Sequence, residues 1–425
     1  MVYNILHYGA VPDGKTLCTE AIQAAIDVCS NNGGGRVLIP SGCFYSGSLF
    51  LKDNVELHLE HGSKLLASSN IDDYNKDDAY QQNYGFAPEE WRAKHLIMAI
   101  ECRNVAITGS GTIDGNGESY RSDVVLPSTN GYGWKFGMRK VKDKDVMRPG
   151  QMICFIESTD VTIQGVSMVN APCWNCFVHG CEYVKIDGIT VKNSETALNT
   201  DGIDIDCSRF VTISNCNIET GDDAITFRCA SHRLKVPKAC EYVTVTNCNL
   251  AVSASAFRIG VGFGSIRHIR VSNVTVSRAG NVIHFMTSCN GSGKALIEDV
   301  NFSNISADNV GWPLQMWDGD GCIKDVTVEN FRSHSVAGIR IIPKNDGVVS
   351  NIRLSRIDLF IEKENRELDE ALRTGRGDDM VDIRNVSGLY IDAMNVYAED
   401  AVLPLWNSKF KIDNCKQVEI INSKY

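Results

Sequence analysis

Three carboxylates stand in two short motifs whose spacing suits chemistry. Asp201 lies in the Asn-Thr-Asp-Gly motif at 199–202, and Asp222 and Asp223 lie in the Gly-Asp-Asp-Ala motif at 221–224. Each motif leads into a run of β-prone residues, and 21 residues separate Asp201 from Asp222. If that interval is one coil of a solenoid, the motifs meet on parallel strands about 5 Å apart. Like charges packed so closely indicate a binding or catalytic site.

A repeat surrounds these motifs from about residue 98 onward. Its unit is a short β-branched strand with Asn, Asp or Gly at a fixed corner, and it begins at Val161, Val184, Val211, Val243 and Ile269. Steps of 23 to 32 residues between such strands are typical of a parallel β-helix. Asn side chains at a corner can hydrogen-bond along the stack. A β-propeller is disfavoured because its repeat is about 40 residues or longer.

The predicted fold is all-β, with one domain spanning 1–425. Residues up to about 40 form an N-terminal cap with one helix, in which Ala21, Ile22, Ala25, Ile26 and Cys29 follow helical spacing and Thr19 is the expected N-cap. Such a helix would cover the open end of the repeat array. Three insertions interrupt the repeat, at about 69–95, 114–150 and 362–378, and are interpreted as loops that wall one face.

Composition excludes several classes of partner. The chain has 425 residues, 43% hydrophobic and 22% charged, with a formal net charge of −10. This charge argues against binding to nucleic acid or to an anionic membrane, and no apolar run reaches the length of a transmembrane helix. No cofactor or metal is expected, and the sequence leaves the oligomeric state undetermined. Residues 1–5 lack the pattern of a signal peptide, so a cytoplasmic location is expected, or a periplasmic or secreted one if a signal was removed.

Sixteen cysteines are scattered without paired zinc-binding spacing. Cys216 and Cys248 occupy the same place in two similar segments, Ser-Asn-Cys-Asn and Thr-Asn-Cys-Asn. We therefore expect small buried thiols stacked inside the solenoid rather than disulfides, as in a reducing compartment.

Several segments resemble glycoside hydrolase family 28, the polygalacturonases and their relatives. They are the Tyr-Gly-Ala motif at 8–10, the triple glycine at 33–35, the Gly-Thr-Ile-Asp-Gly motif at 111–115 and both acidic motifs. The stretch from Arg148 to Trp174 is similar to the bacterial branch. The resemblance covers most of the chain and implies a single-stranded right-handed parallel β-helix of the pectin-lyase-like kind. It further implies hydrolysis with inversion, in which Asp222 is the general acid and Asp201 and Asp223 hold and activate water.

Two family motifs are replaced. Where Gly-His-Gly is expected, 253–260 read Ser-Ala-Ser-Ala-Phe-Arg-Ile-Gly, and where Arg-Ile-Lys is expected, 281–285 read Asn-Val-Ile-His-Phe. The three acids remain, whereas the residues that bind galacturonate in the family are replaced. We therefore expect a substrate specificity that differs from that of the polygalacturonases. Candidate residues for sugar binding are Asn199, Arg228, Arg258, His284 and Trp312.

The leading interpretation is a glycosidase acting on plant cell-wall, pectin-derived oligosaccharides, in a closed pocket for short sugars. One alternative is a β-helical lyase or epimerase acting on uronates, for which Asp201, Asp204 and Asp206 could supply a Ca²⁺ site. Another is a carbohydrate-binding β-helix without catalysis.

Overall fold

A computed structural model describes residues 1–76, 91–92, 94–126, 138–141, 148–288, 293–318, 320–344, 347–362 and 379–424. Among these residues, the first part of the chain contains one α-helix, short 3₁₀ turns and the following strands. They are α1 (Thr19–Asn31), β1 (Val2–Asn4), β2 (Asp13–Leu17), β3 (Gly35–Ile39), β4 (Gly42–Ser46), β5 (Leu49–Phe50), β6 (Val55–Leu59), β7 (Ser63–Ala67), β8 (Trp91–Arg92), β9 (Ile97–Ile100), β10 (Arg103–Gly109), β11 (Thr112–Asp114), β12 (Arg121–Leu126), β13 (Met138–Val141) and β14 (Arg148–Pro149).

The middle and last parts of the described chain continue in strands alone, apart from single turns of 3₁₀ helix. The middle strands are β15 (Ile153–Ile156), β16 (Thr159–Gln164), β17 (Ser167–Val169), β18 (Cys176–His179), β19 (Glu182–Asp187), β20 (Thr190–Lys192), β21 (Ile203–Asp206), β22 (Arg209–Ser214), β23 (Asn217–Thr220), β24 (Ile225–Cys229), β25 (Cys240–Val252), β26 (Ser255–Gly262) and β27 (Ser265–Met286). The last are β28 (Leu296–Asp318), β29 (Cys322–Ser335), β30 (Ile339–Ile341), β31 (Val348–Ile361), β32 (Asp379–Arg384), β33 (Val386–Ala398), β34 (Ser408–Asp413) and β35 (Lys416–Ile421).

Strands pair in parallel with the strand one coil away, which makes a right-handed parallel β-helix. One sheet holds 31 of the described strands. The functional residues lie on one row of paired strands, called row A, which runs β9, β15, β18, β21, β24, β26, the ends of β27 and β28, then β30, β32 and β34. Both the all-β prediction and the β-helix prediction are confirmed.

Alternation along each strand builds the core. In β21, Ile203 and Ile205 point inward and pack above Ile225 and Phe227 of β24, while the residues between them point out of the solenoid. The inward columns merge into one continuous apolar cluster from the cap to the last coils. Burial of this stacked cluster supplies the main driving force for folding.

The cap helix α1 buries Ile22, Ala25, Ile26 and Cys29 against the first coil, as its spacing predicts. The Thr19 prediction is wrong: Cys18 is the N-cap residue and lacks a side-chain capping bond. The Thr19 hydroxyl instead accepts a hydrogen bond from the Gly47 N–H at 2.8 Å, which ties the helix to the sheet. No helix among the described residues is long and apolar enough to cross a membrane.

Asparagines form a ladder at one corner, as the repeat predicts. The amide of Asn304 donates to Asn273 at 3.1 Å and accepts from Asn330 at 2.7 Å, and Asn273 donates to Asn247 at 3.4 Å. These residues have φ between 49° and 55°, a left-handed conformation that Asn tolerates better than most side chains. The ladder therefore fixes both the corner and the register between coils.

Charged side chains alternate in sign along a second ladder on the outer surface. The aligned positions are Glu182, Arg209, Glu241, Arg267, Glu298 and Lys324. Neighbouring members form ion pairs, including Arg209–Glu182 at 3.0 Å and Arg267–Glu241 at 2.7 Å. Because a coil shifted along its strand direction would separate these ion pairs, the ladder favours the observed register.

Both Cys216 and Cys248 are buried free thiols inside the solenoid, as predicted. Of the three predicted insertions, 362–378 lies outside the described residues from 363 onward, and 69–95 is described only in part. Within 114–150, β12 and β13 form a two-stranded antiparallel sheet separate from the 31-stranded sheet, and the Arg139 N–H of β13 donates to the Thr196 carbonyl at 2.7 Å. The single domain over 1–425 stays a prediction.

Replacing Asn304 tests the asparagine ladder. We expect Asn304→Ala to lower stability by about 1–3 kcal/mol, because it removes two hydrogen bonds and places a β-carbon at a left-handed position. Asn304→Gly loses the same bonds without the backbone strain, so its melting temperature should fall less. Equal melting temperatures for wild type and Asn304→Ala would contradict a stabilising role for the ladder.

Candidate active site

The two acidic motifs lie in turns that lead into adjacent strands of row A. Asp201 precedes β21, Asp222 and Asp223 precede β24, and the two strands pair in register. One oxygen of each carboxylate lies within 4.8 Å of an oxygen of each other carboxylate. The structure thus brings all three acids into one patch.

Close backbone approach explains the glycines in both motifs. A β-carbon at Gly221 would lie 2.2 Å from the Ala197 carbonyl oxygen, and one at Gly202 would lie 2.5 Å from the Ala224 carbonyl oxygen. The Thr200 hydroxyl accepts from the Gly221 N–H at 3.0 Å and donates to the Ala197 carbonyl at 2.8 Å. Small residues and this hydroxyl hold the two turns in contact.

Arg258 binds Asp223 with two of its nitrogens. Nε donates to Oδ2, and Nη2 donates to Oδ1 at 3.1 Å. Oδ1 also accepts from the Ser255 N–H at 2.8 Å, and Arg258 Nη1 contacts Met286 Sδ at 3.4 Å. Both residues of the ion pair are nearly buried. The guanidinium therefore balances the Asp223 charge and orients its carboxylate, and a sugar-binding role for Arg258 stays a prediction.

Asp222 is the most exposed of the three acids, at intermediate burial. Its Oδ2 accepts from the Asn199 N–H at 3.2 Å, and its Oδ1 accepts from the Asp223 N–H at 3.0 Å. The Asn199 side chain in turn accepts from Arg148 Nη2 at 2.7 Å. The Asn199 N–H therefore orients the Asp222 carboxylate, and the Asn199 side chain links this turn to the buried Arg148 guanidinium.

Asp201 is held through its own backbone. Its carbonyl oxygen accepts from both the N–H and the side-chain amide of Asn175, each at 2.8 Å. Asn175 is fully buried, and its Oδ1 accepts from Asn193 Nδ2 at 3.2 Å. This chain of amides keeps the Asp201 turn rigid beside the other two acids.

Arg228 lies on the outer face of row A, one coil from Asp206. Its guanidinium stacks over the Trp174 ring at 4.4 Å from the centroid, and Nη1 lies 3.4 Å from Asp204 Oδ1. Asp204 also accepts from the Thr226 hydroxyl at 2.6 Å. Trp174 is buried, and its stacking with Arg228 favours a fixed cation at this point of the site.

Asp206 belongs to a separate buried group. Burial alone would raise the pKa of its carboxyl, but the charge and hydrogen bond of His179, the charge of Arg228 and the Ala230 N–H together lower it. His179 Nδ1 lies 3.3 Å from Asp206 Oδ2. Asp204 and Asp206 thus have their own partners and do not join Asp201, so the Ca²⁺ site of the lyase alternative is not formed by these three residues.

His284 and Trp312 follow on the next coils of row A. His284 pairs in register with Arg258 and is nearly buried, and burial together with the nearby Arg258 charge lowers its pKa well below the usual range. Its ring is therefore neutral at neutral pH. Trp312 is half-buried and lies in register with Asn281. Both predicted residues thus lie on the coils that follow the acids toward the C-terminus.

Three residues that support or extend the site were missed in the sequence. Asn175 gives no local signal, because nothing near it in the sequence marks its contact with the Asp201 turn. Ser255 and Asn281 carried a signal, since each precedes the outward residue of its coil, Arg258 or His284, by three positions. Aligning successive coils at this three-residue offset would have identified both Ser255 and Asn281.

Comparison with known proteins places this chain in a family. The model of glycosyl hydrolases family 28 matches residues 29–341. The exo-poly-α-D-galacturonosidase of Dickeya chrysanthemi is 32% identical over 257 residues, which are 53% of this chain and 42% of that protein. A probable polygalacturonase of Vitis vinifera is 25% identical over 363 residues, 83% of this chain and 69% of that protein.

Solved structures agree on the fold. The family 28 exopolygalacturonase of Yersinia enterocolitica superposes with a TM-score of 0.68 at 20% identity, covering 100% of this chain and 79% of that one. An exopolygalacturonase from Thermotoga maritima gives 0.66 at 21% identity, covering 94% and 92%. The chain therefore belongs to glycosyl hydrolases family 28, as its motifs indicated.

Substitution of Arg258 tests its positioning role. We expect Arg258→Gln to lower kcat on the enzyme's oligosaccharide substrate about 100-fold with little change in KM, because Asp223 loses its orientation. Arg258→Lys keeps the charge but not the two-point contact, so its kcat should lie between the values for Arg258→Gln and wild type. Arg270→Gln, which disturbs a surface pair with Asp299, is the control. A raised KM at unchanged kcat would instead indicate that Arg258 binds the sugar.

Proposed function

We propose that this protein hydrolyses glycosidic bonds in pectin-derived oligosaccharides by single displacement, with inversion and without a cofactor. The observation that carries the proposal is the meeting of three carboxylates in different surroundings, two buried and one partly exposed. Membership of the family and the polygalacturonase relatives support the reaction type and the pectic source of the substrate.

Asp222 is the proposed general acid. An inverting glycosidase needs one protonated carboxyl to deliver a proton to the leaving oxygen. Among the three acids, Asp222 is the one that solvent, and hence a substrate, reaches most readily. Two backbone hydrogen bonds fix its carboxyl, whereas the Asp223 carboxyl is bound by the Arg258 guanidinium.

Asp201 and Asp223 are the proposed bases that hold the attacking water. A water that hydrogen-bonds two carboxylate oxygens at about 2.8 Å each spans oxygens roughly 4.6 Å apart. The separations within the patch, up to 4.8 Å, fit such a water. An inverting enzyme needs room for such a water between its general acid and its base. Inversion here therefore depends on a water held inside the group of acids.

A short substrate or a chain end fits this site better than the middle of a polymer. Residues that point outward from row A would be exposed in an open cleft, yet Asp204, Thr226, His284 and Gln315 are at most 5% exposed. Because neighbouring groups cover these side chains, less of the row is open to a substrate than in an exposed cleft. Two of the similar proteins named above are exopolygalacturonases.

Leaving-group dependence tests the assignment of the acid. We expect Asp222→Asn to lower kcat/KM on a natural oligosaccharide about 1,000-fold, because proton transfer to the leaving oxygen is lost. A glycoside with a nitrophenolate leaving group needs no proton, so the variant should recover most of its activity on it. Asp201→Asn and Asp223→Asn, which remove a base, should be slow on both substrates. An Asp222→Asn variant as active as wild type on natural substrate would refute the proposal.

A further inference from the structure

The Arg148 side chain reaches the turn before Asp201 from outside the solenoid sheet. Arg148 lies in β14, which pairs with β8 in a separate two-stranded sheet, and the residue is buried. Nη1 of its guanidinium donates to the carbonyl oxygens of Pro172 at 2.9 Å and Leu198 at 3.1 Å, and Nη2 donates to Asn199 Oδ1 at 2.7 Å. One guanidinium thus joins the turns of two neighbouring coils, those that lead into β18 and β21.

The chemistry of the guanidinium makes this contact a strong geometric restraint. The group is planar and its N–H donors point in fixed directions, so each acceptor can lie in only a small region around it. Hydrogen bonds from a charged donor are also shorter and stronger than those between neutral groups. Because the donor is buried, a movement of the turn would leave a charge without solvent or partners, which is costly. The Arg148 contacts therefore fix the segment Leu198–Asn199.

Asn199 carries the restraint to the proposed general acid. Its backbone has a left-handed conformation with φ of 55°, and its N–H donates to Asp222 Oδ2 at 3.2 Å. The side chain of the same residue is bound to Arg148. A rotation of the turn would therefore disturb both contacts together, and the Asp222 carboxyl would lose one of the two backbone donors that orient it.

Two other arginines bind the same turn nearer its beginning. Arg139 Nε donates to Thr196 Oγ1 at 2.9 Å, and Arg278 Nη1 donates to Glu195 Oε2 at 2.9 Å. These contacts anchor the turn three and four residues before Asn199. Their loss would loosen the turn in general, whereas loss of Arg148 would act on the residue that orients the acid. The chain thus offers a matched comparison for Arg148.

We propose that Arg148 is a positioning residue for the general acid, which acts through Asn199 to hold the Asp222 carboxyl where it can protonate the leaving oxygen. This inference rests on the proposed function. The contribution of Arg148 is to the step that transfers the proton, because a misdirected carboxyl delivers its proton slowly. The Asp201 turn keeps a separate anchor in Asn175, so the base side of the site does not depend on Arg148 alone.

Leaving-group dependence separates a positioning role from a general effect on stability. Arg148→Met removes the donors, and we expect kcat to fall about 30-fold, with KM nearly unchanged, on trigalacturonate or on the pectin-derived oligosaccharide that wild type cleaves best. The 4-nitrophenyl glycoside of the same sugar needs no proton on its leaving group, so its cleavage should stay within about threefold of wild type. Arg148→Lys keeps the charge but not the fork of donors, so its kcat should lie between the two.

Arg278→Gln is the control for these measurements, and its kcat should stay within about twofold of wild type on both substrates. Equal losses on the two substrates in the Arg148 variants would show a general structural effect and overturn the inference. Unchanged kcat on the oligosaccharide would overturn it as well.

A double-mutant cycle tests the route through Asn199. Asn199→Gly removes the acceptor and tolerates the left-handed backbone, so kcat on the oligosaccharide should fall about tenfold without a loss of folding. If Arg148 acts through Asn199, adding Asn199→Gly to Arg148→Met should lower kcat by no more than about a further twofold, whereas independent effects would multiply. Multiplied losses overturn the inference. Arg148→Lys replaces Arg148→Met in the cycle if the latter does not fold.

The Asp222→Asn variant distinguishes failure of this inference from failure of the proposed function. If Asp222→Asn is as active as wild type on the oligosaccharide, both proposals are overturned. If Asp222→Asn is slow on the oligosaccharide alone while the Arg148 variants match wild type, only the positioning role is overturned.

Discussion

Register between coils is the constraint on which the site depends. Each strand of row A pairs with its neighbour in one alignment, so a side chain meets the same position of the next coil. A slip of one residue would turn every inward side chain outward and separate the Asp201 turn from the Asp222 turn. The asparagine ladder and the alternating charge ladder specify this alignment from the outside, while the inward columns specify it from the core.

The second condition for the site is charge balance, because its acidic side chains are largely removed from water. Two of the three central carboxylates are at most 5% exposed, and bringing charges out of water is unfavourable unless partners replace the solvent. The Arg258 contact to Asp223 and the Arg228 stack beside Asp204 supply such partners. The charge balance of the site thus depends on a small set of ion pairs.

Much of this could be predicted from the sequence because the repeat is visible in it. The period of β-branched strands predicted the β-helix, its corners predicted hydrogen-bonded asparagines along the stack, and the interval between Asp201 and Asp222 predicted the acidic patch. Partners across coils were harder to predict. Coil length varies with each loop, so the sequence did not reveal that Arg258 meets Asp223 or that Asn175 meets the Asp201 turn.

The configuration of the first product tests the central claim most directly. In the proposed single displacement, a water held by Asp201 and Asp223 attacks opposite the leaving group, so proton NMR recorded in the first minutes of the reaction should show the inverted anomer before mutarotation mixes the signals. Wild-type enzyme and one defined oligosaccharide suffice. An initial product with retained configuration would contradict the account, since it requires a covalent intermediate on one of the three carboxylates.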